Sequence, residues 1–180
     1  FFDVRKDQDL PLISEFYKID TYFNFKENQK KGKFIRLYFK LIKYLEKKVF
    51  KEKIIFQNKP TLRLHFPNTI SVGGYHFDSD YGHQKGSVNF WMPFTNSMKT
   101  ATLWIETKKN KRDYKPRDTK WGEILTFDSD LKHGIEVNKE EYTRASMDFR
   151  IICKKNYKNS NYYLSKNKIS FTLGNYYTEF

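Results

Sequence analysis

From residue 54 onward the chain is a succession of short segments rich in aromatic and β-branched residues, with no helical period between them. "IIFQ", "TLRLHF", "SVNFWMPFT", "TLWIET", "EILTFD", "HGIEV" and "YTRASMDFRIIC" follow one another, punctuated by Gly, Pro, Asn and Asp. Side chains of this kind suit a pleated, half-buried surface, and the punctuating residues suit turns. Strands in series without crossover helices build a sandwich or a closed barrel, not a parallel sheet. The pattern therefore predicts a mainly β core over residues 54–153.

Before this core, residues 33–53 carry a helical period. Ile35, Phe39, Ile42, Leu45 and Val49 recur at three and four and form one apolar stripe, while Lys40, Lys43, Lys47 and Lys51 fall largely off it. The expectation is a scaffold helix with a solvated Lys face. Residues 1–32 are mixed and polar, with aromatics in "EFYKIDTYFNF". The tail, residues 154–180, is rich in Asn, Lys and Tyr; its first part is expected to be mobile, and its "ISFTLGNYYTEF" end has enough aromatic mass to dock on the body. At 180 residues the chain has the length of a single domain with a real core. Three parts are expected within it: an N-terminal segment and helix (1–53), a strand core (54–153) and a C-terminal arm (154–180).

Composition narrows the function classes. Lys and Arg number 34 against 21 Asp and Glu, a formal net charge of +13. A basic surface can attract nucleic acid or acidic lipid. Here the excess is mostly Lys and comes with many Asn, Ile, Phe and Tyr, the mix an AT-rich coding sequence favours, so charge carries little functional weight and no nucleic-acid partner is expected. The single cysteine, Cys153, rules out an internal disulfide and suits a reducing compartment. No apolar run approaches the length of a membrane span, and no signal peptide is visible in a sequence that opens on Phe1. The expectation is a cytoplasmic protein acting on a small molecule.

The chemistry concentrates in "GGYHFDSDYGHQKG", residues 73–86, which holds His76, Asp78, Asp80 and His83 although the chain has only four histidines. Residues two apart on a strand point to one face, so "HFD" presents an imidazole and a carboxylate side by side with Phe77 turned away. A third donor would complete the two-His, one-carboxylate arrangement of non-heme Fe(II) sites. His133 lies 57 positions (133 − 76) after His76, opening a strand that a barrel can fold back against the first pair. In "YTRASMDFRI" the alternation is clean: Ala145, Met147, Phe149 and Ile151 share one face, and Arg144, Ser146, Asp148 and Arg150 the other. Arg144, 11 positions (144 − 133) after His133, forms with Ser146 a forked donor set for a carboxylate.

H-x-D, a distant H and then R-x-S resembles the iron- and 2-oxoglutarate-dependent oxygenases. "YHFDSDYGHQKGSVNFWMPFT" and "TLWIET" are similar to the StrG-like, streptomycin-biosynthesis type of that superfamily, near the phytanoyl-CoA hydroxylase group, and the resemblance covers roughly residues 61–152. It implies a double-stranded β-helix, a jelly roll, buttressed by the N-terminal helix. It implies that His76, Asp78 and His133 bind Fe(II), and that Arg144 and Ser146 hold the far carboxylate of 2-oxoglutarate. Three protein ligands leave room for the two donor oxygens of a 2-oxo acid and for O2. The implied reaction is oxidation, above all hydroxylation, of a small metabolite with release of succinate and CO2.

Other residues are assigned around this centre. His83, beyond Gly82, falls in the loop after the first pair and is expected to face substrate or support the ligands, not bind metal. Asp80 suits a turn cap. Arg63 and His65 share a face of "TLRLHF" and are expected to line the pocket, with Asn89, Trp91 and Trp104 as its walls. Asp148 and Arg150 read as a structural pair, with Arg150 a reserve anchor, and Cys153 as a small hydrophobe. A cupin-type metalloenzyme that does not use 2-oxoglutarate is the rival: "GEILTFDSDLKH" has the spacing of the second cupin motif, but the first motif wants H-x-H. A nucleic-acid demethylase fits less well, because Ser146 and Asp148 stand where that group has Asn and Thr. A halogenase would lack Asp78, and a non-catalytic jelly-roll binding module has no need of three ligands and an anchor.

Overall fold

Arg144–Cys153 forms a ten-residue strand on which the main sheet is built. The computed structural model of the protein describes residues 2–3, 32–70, 74–159, 163–164 and 169–180. Within them the strands are β1 (Phe2–Asp3), β2 (Ile54–Gln57), β3 (Thr61–His65), β4 (Val88–Pro93), β5 (Leu103–Ile105), β6 (Lys115–Arg117), β7 (Glu123–Asp128), β8 (His133–Gly134), β9 (Arg144–Cys153), β10 (Tyr163–Leu164), β11 (Ile169–Ser170) and β12 (Tyr177–Thr178). The seven-stranded antiparallel sheet runs β1-β7-β4-β9-β2-β12, with β3 also paired to β9. The long strand spans two partners on one edge: β3 pairs with residues 144–148 and β2 with residues 151–153. A second antiparallel sheet runs β6-β5-β8, and β10 pairs with β11.

The fold is thus mainly β, as the segment pattern predicts. The ladder does not close into a barrel among the described residues. β5, β6 and β8 are only two or three residues long, too short to carry hydrogen bonding round to the main sheet. The two sheets instead meet through side chains: Trp91 and Leu125 from the main sheet pack with Leu103 and Ile105 from the smaller one.

The helix α1 (Lys33–Tyr44) continues as a π-helical turn over Leu45–Phe50 and stops at Lys51, whose backbone is left-handed (φ 53). It covers the outer face of the main sheet. Leu37, Tyr38, Leu41, Ile42 and Leu45 pack on Ile54, Phe56, Phe90, Met92, Ile124, Met147, Phe149 and Ile151. This buried stripe differs from the one expected: Ile42 and Leu45 are shared, but Ile35 and Phe39 are only partly buried and Val49 is 43 % exposed. Apolar residues cover more than half of this helix's circumference, so the period alone does not choose a centre. The sheet chooses it: Tyr38 donates to the Gln57 carbonyl (2.6 Å) and meets Phe149 edge to face. The π-turn then adds residues per turn and rotates Val49 outward.

The C-terminal arm docks on the opposite face of β2 and β9, where Phe171 and Tyr177 pack with Ile55 and Ile152. Tyr177 pairs with Gln57 and Thr178 with Phe56. Residues 4–31 and parts of 160–168, including part of the stretch expected to be mobile, lie outside the described residues. Among the described residues no helix is long and apolar enough to cross a membrane.

Phe149 is fully buried, stacked on Phe90 (5.1 Å between centroids) and edge-on to Tyr38. Phe149→Ala is expected to lower unfolding free energy by about 3–5 kcal/mol, read from the urea midpoint at unchanged m-value. A loss below about 1 kcal/mol would show that this layer can collapse around the cavity.

Candidate metal centre

Two histidines meet through their backbones. The His76 N–H donates to the His133 carbonyl (2.9 Å) and the His133 N–H to the His76 carbonyl (3.0 Å). On its other side His133 pairs with Ile105 of β5. The approach is close enough to require Gly134, where an added Cβ would come within 3.0 Å of the Tyr75 backbone. The two imidazoles therefore lie side by side, 4.7 Å between centroids. Each ring nitrogen Nδ1 faces a carbonyl oxygen: Gly74 for His76 (2.8 Å) and Leu131 for His133 (2.9 Å). A carbonyl only accepts, so both Nδ1 atoms carry the proton and both Nε2 atoms offer a lone pair.

Asp78 does not continue a strand from His76. His76 makes a single bridge, Phe77 is extended (φ −92, ψ 146), and Asp78 opens a short 3-10 turn to Tyr81. Asp80 ends the extended run by accepting the Phe77 N–H (2.9 Å). The one extended residue still sets His76 and Asp78 on the same side. Donor atoms of His76, Asp78 and His133 all lie within 4.8 Å of one another, and Asp78 Oδ1 is 3.9 Å from His133 Nε2. Two imidazoles whose Nδ1 atoms are taken by carbonyls, leaving Nε2 toward the carboxylate, are with Asp78 a fitting donor set for a divalent transition metal.

Asp78 is 1 % exposed. Its Oδ2 accepts from Asn89 Nδ2 (2.6 Å) and its Oδ1 from Arg150 Nη2 (2.6 Å). Burial alone would push its carboxyl up, but the adjoining Arg150 guanidinium outweighs burial and holds it well below the usual carboxylate range. Burial pushes the His133 imidazole below its ordinary value, only partly countered by Asp78.

His76 and His133 line a cleft of about 570 Å³, a volume that includes open solvent. Its lining includes Trp91, Leu103, Phe127 and Ile135 as walls and Arg63, Arg144, Asp148 and Arg150 as charges. Arg63 Nε bonds Asp148 Oδ1 (2.5 Å). Arg144 differs: it is 1 % exposed, its Nη1 reaches the Ala101 carbonyl at 3.4 Å, and its Nε has no partner among the described residues. The guanidinium lies 5.5 Å over the Trp91 ring. Burial, reinforced by the charge of Arg63, lowers its pKa to about 10. The Ser146 hydroxyl is likewise buried without a partner.

The remaining assignments fall in different places. Asn89 and Trp91 line the cleft; Asn89 holds Asp78 as well. Trp104 does not line it, because Leu103 and Ile105 take the inward parity of β5. His65 is buried on the same face as Arg63, its Nε2 against the Thr69 carbonyl (2.9 Å). His83 does not reach the cleft. Its ring packs on Phe171 and Tyr176 (4.2 and 5.2 Å), and burial, then the charge of Arg150, pushes its pKa down to about 3. Arg150 does not chiefly pair with Asp148, which sits 3.8 Å away; its 2.6 Å partner is Asp78. The parity of β9 puts Arg150 on the inner face with Arg144, and a second inward cation was the available sign that a buried carboxylate waited there.

Fold and site define a mainly β protein with a candidate metal centre between its two larger sheets. No protein-family model matches the chain. It is similar to the streptomycin biosynthesis protein StrG of Streptomyces griseus, 35% identical over 127 residues, which are 70% of this chain and 60% of StrG. The chain thus spans less than two thirds of that relative's length. Among solved structures it is similar to the apo form of the non-heme monooxygenase ThoJ (TM-score 0.52, 11% identity, 63% of this chain and 51% of ThoJ). AviO1 from Streptomyces viridochromogenes Tue57 matches with a TM-score of 0.45 at 16% identity, over 56% of this chain and 53% of AviO1.

The Asp78–Arg150 pair predicts a distinctive stability pattern in metal-free protein. Asp78→Leu and Arg150→Met are each expected to cost about 3–5 kcal/mol, because each strands a buried charge. The double variant is expected to recover most of that loss. Chemical denaturation of the four proteins gives the coupling energy, and additive losses would show that the two groups do not meet.

Proposed function

We propose that this protein is an Fe(II)- and 2-oxoglutarate-dependent oxygenase acting on a small molecule. The observation that carries the reading is Arg144, a buried guanidinium whose Nε has no partner among the described residues, in the cleft that His76 and His133 also line. A buried cation with one long hydrogen bond asks for an anion. A dicarboxylate cosubstrate would supply it at a fixed distance from the metal. His76, Asp78 and His133 would hold the iron, and Arg144 with the Ser146 hydroxyl would hold the far carboxylate. Iron bound there, with 2-oxoglutarate and O2, supplies the oxidising chemistry: cosubstrate becomes succinate and CO2, and one oxygen atom passes to the substrate.

The chain's own residues do the rest. Trp91 lies under the Arg144 guanidinium and keeps water from its planar face. Leu103, Phe127 and Ile135 give substrate an apolar wall, and the Arg63–Asp148 pair offers it a donor and an acceptor. The two sheets, with α1 behind the larger one, are read as a double-stranded β-helix forming one domain, and its site of action as the cytoplasm. The similarity to a protein named for streptomycin biosynthesis and to one titled a non-heme monooxygenase supports oxidation of a small biosynthetic intermediate.

Iron-loaded protein supplied with 2-oxoglutarate and O2 is expected to release succinate, and His133→Ala to abolish it. Arg144→Ala is expected to raise the 2-oxoglutarate requirement at least about tenfold, since a charge-assisted contact contributes roughly 1.5–3 kcal/mol and each 1.4 kcal/mol is a factor of ten. Arg144→Lys should recover only part, as an ammonium lacks the planar fork. Metal-dependent turnover that ignores 2-oxoglutarate and Arg144 would favour the cupin-type reading.

A further inference from the structure

The C-terminal arm reaches the candidate metal centre through two side chains. Tyr176 stands 98 positions (176 − 78) after Asp78, yet its hydroxyl accepts from Arg150 Nη1 (3.1 Å) while Arg150 Nη2 donates to Asp78 Oδ1 (2.6 Å). The arm is held there by main-chain bonds: the Asn58 N–H donates to the Tyr176 carbonyl (2.7 Å), and β12 pairs with β2. The Tyr176 ring is wedged against Phe171 (4.7 Å) and Tyr177 (4.9 Å). Arg150 is 8 % exposed and lies between Tyr176 on one nitrogen and Asp78 on the other.

We infer that Tyr176 and Arg150 are positioning residues of the metal centre: the arm, through Tyr176, fixes Arg150, and Arg150 with Asn89 locks the Asp78 carboxylate in its ligating orientation. The inference rests on the metal-centre reading above. Each carboxylate oxygen has two lone pairs. Arg150 occupies one on Oδ1 and Asn89 one on Oδ2, so the carboxylate cannot rotate about its Cβ–Cγ bond without breaking both contacts. The oxygen that Arg150 holds is the one 3.9 Å from His133 Nε2. Groups that orient a ligand in this way typically change metal affinity 10- to 100-fold when removed. Arg150 also neutralises the buried carboxylate when no metal is present, so the three donors stay assembled.

The opposite effect is equally concrete. A guanidinium this near the cluster could compete with a divalent cation for Asp78, in which case loosening it would tighten metal binding. The test is titration of full-length protein with Mn(II) alone, followed by calorimetry and by the Mn(II) paramagnetic resonance spectrum, well below the melting temperature. Tyr176→Phe keeps the ring and removes only the hydroxyl; it is expected to weaken Mn(II) binding about tenfold with little change in thermal stability. Arg150→Lys keeps the charge but replaces the planar two-nitrogen fork with a single ammonium, and is expected to weaken it further. Tyr177→Phe is the control, because the Tyr177 hydroxyl is buried with no partner among the described residues; it should leave Mn(II) affinity unchanged. Wild-type or tighter affinity in both Tyr176→Phe and Arg150→Lys overturns the positioning role alone. Wild-type protein that binds no Mn(II), or binds it equally well as His133→Ala, overturns the metal-centre reading and this inference with it.

Discussion

The structure around the site depends on one buried ion pair, Asp78 with Arg150. A carboxylate at 1 % exposure cannot stay charged without a cation and hydrogen-bond donors. Arg150 supplies the cation from β9 and Asn89 a second donor from β4, while Tyr176 braces Arg150 from the arm. The strand order β4-β9-β2-β12 is what brings these three side chains to one point. A loop carboxylate thereby becomes a fixed part of a sheet interior, although its own segment makes only a single-residue bridge and a short turn.

The charges on the inner face do not cancel. Arg63, Arg144 and Arg150 face Asp78 and Asp148. Asp148 answers Arg63, Asp78 answers Arg150, and among the described residues Arg144 is left with one long contact to a carbonyl. Such an imbalance among the described residues of a desolvated cleft weakens the fold unless a further group completes it. The Ser146 hydroxyl, two residues along on the same face, also has no partner among the described residues.

The two histidines show a different means of preparation. Their reciprocal backbone bonds make one imidazole's position a condition of the other's, and carbonyl oxygens at Gly74 and Leu131 choose the same tautomer for both. The small sheet exists largely to carry this pair, since β8 holds His133 against Ile105 while Gly134 lets Tyr75 and His76 come close.

Much of this was legible in the chain. Aromatic and β-branched segments marked β2, β3, β4, β5, β7, β8 and β9, and alternation along β9 separated Met147, Phe149 and Ile151 from Arg144, Ser146, Asp148 and Arg150. Side-chain parity is a property of the local backbone, so local sequence determined it. β6, with Pro116 at its centre, and the two-residue strands β10, β11 and β12 carry too little local preference to be read, and form only where a neighbour offers an edge. The helix face was decided by Gln57 and Phe149, far along the chain, because apolar residues surround most of the helix. Partner choice was decided in the same way. Sequence set Arg150 and Asp148 two apart on one face, but three inward cations and two inward acids allow more than one pairing. Only the tertiary structure, by laying Arg63 beside Asp148 and the 78–81 turn beside Arg150, determined which charges meet and that Arg144 has no carboxylate partner among the described residues.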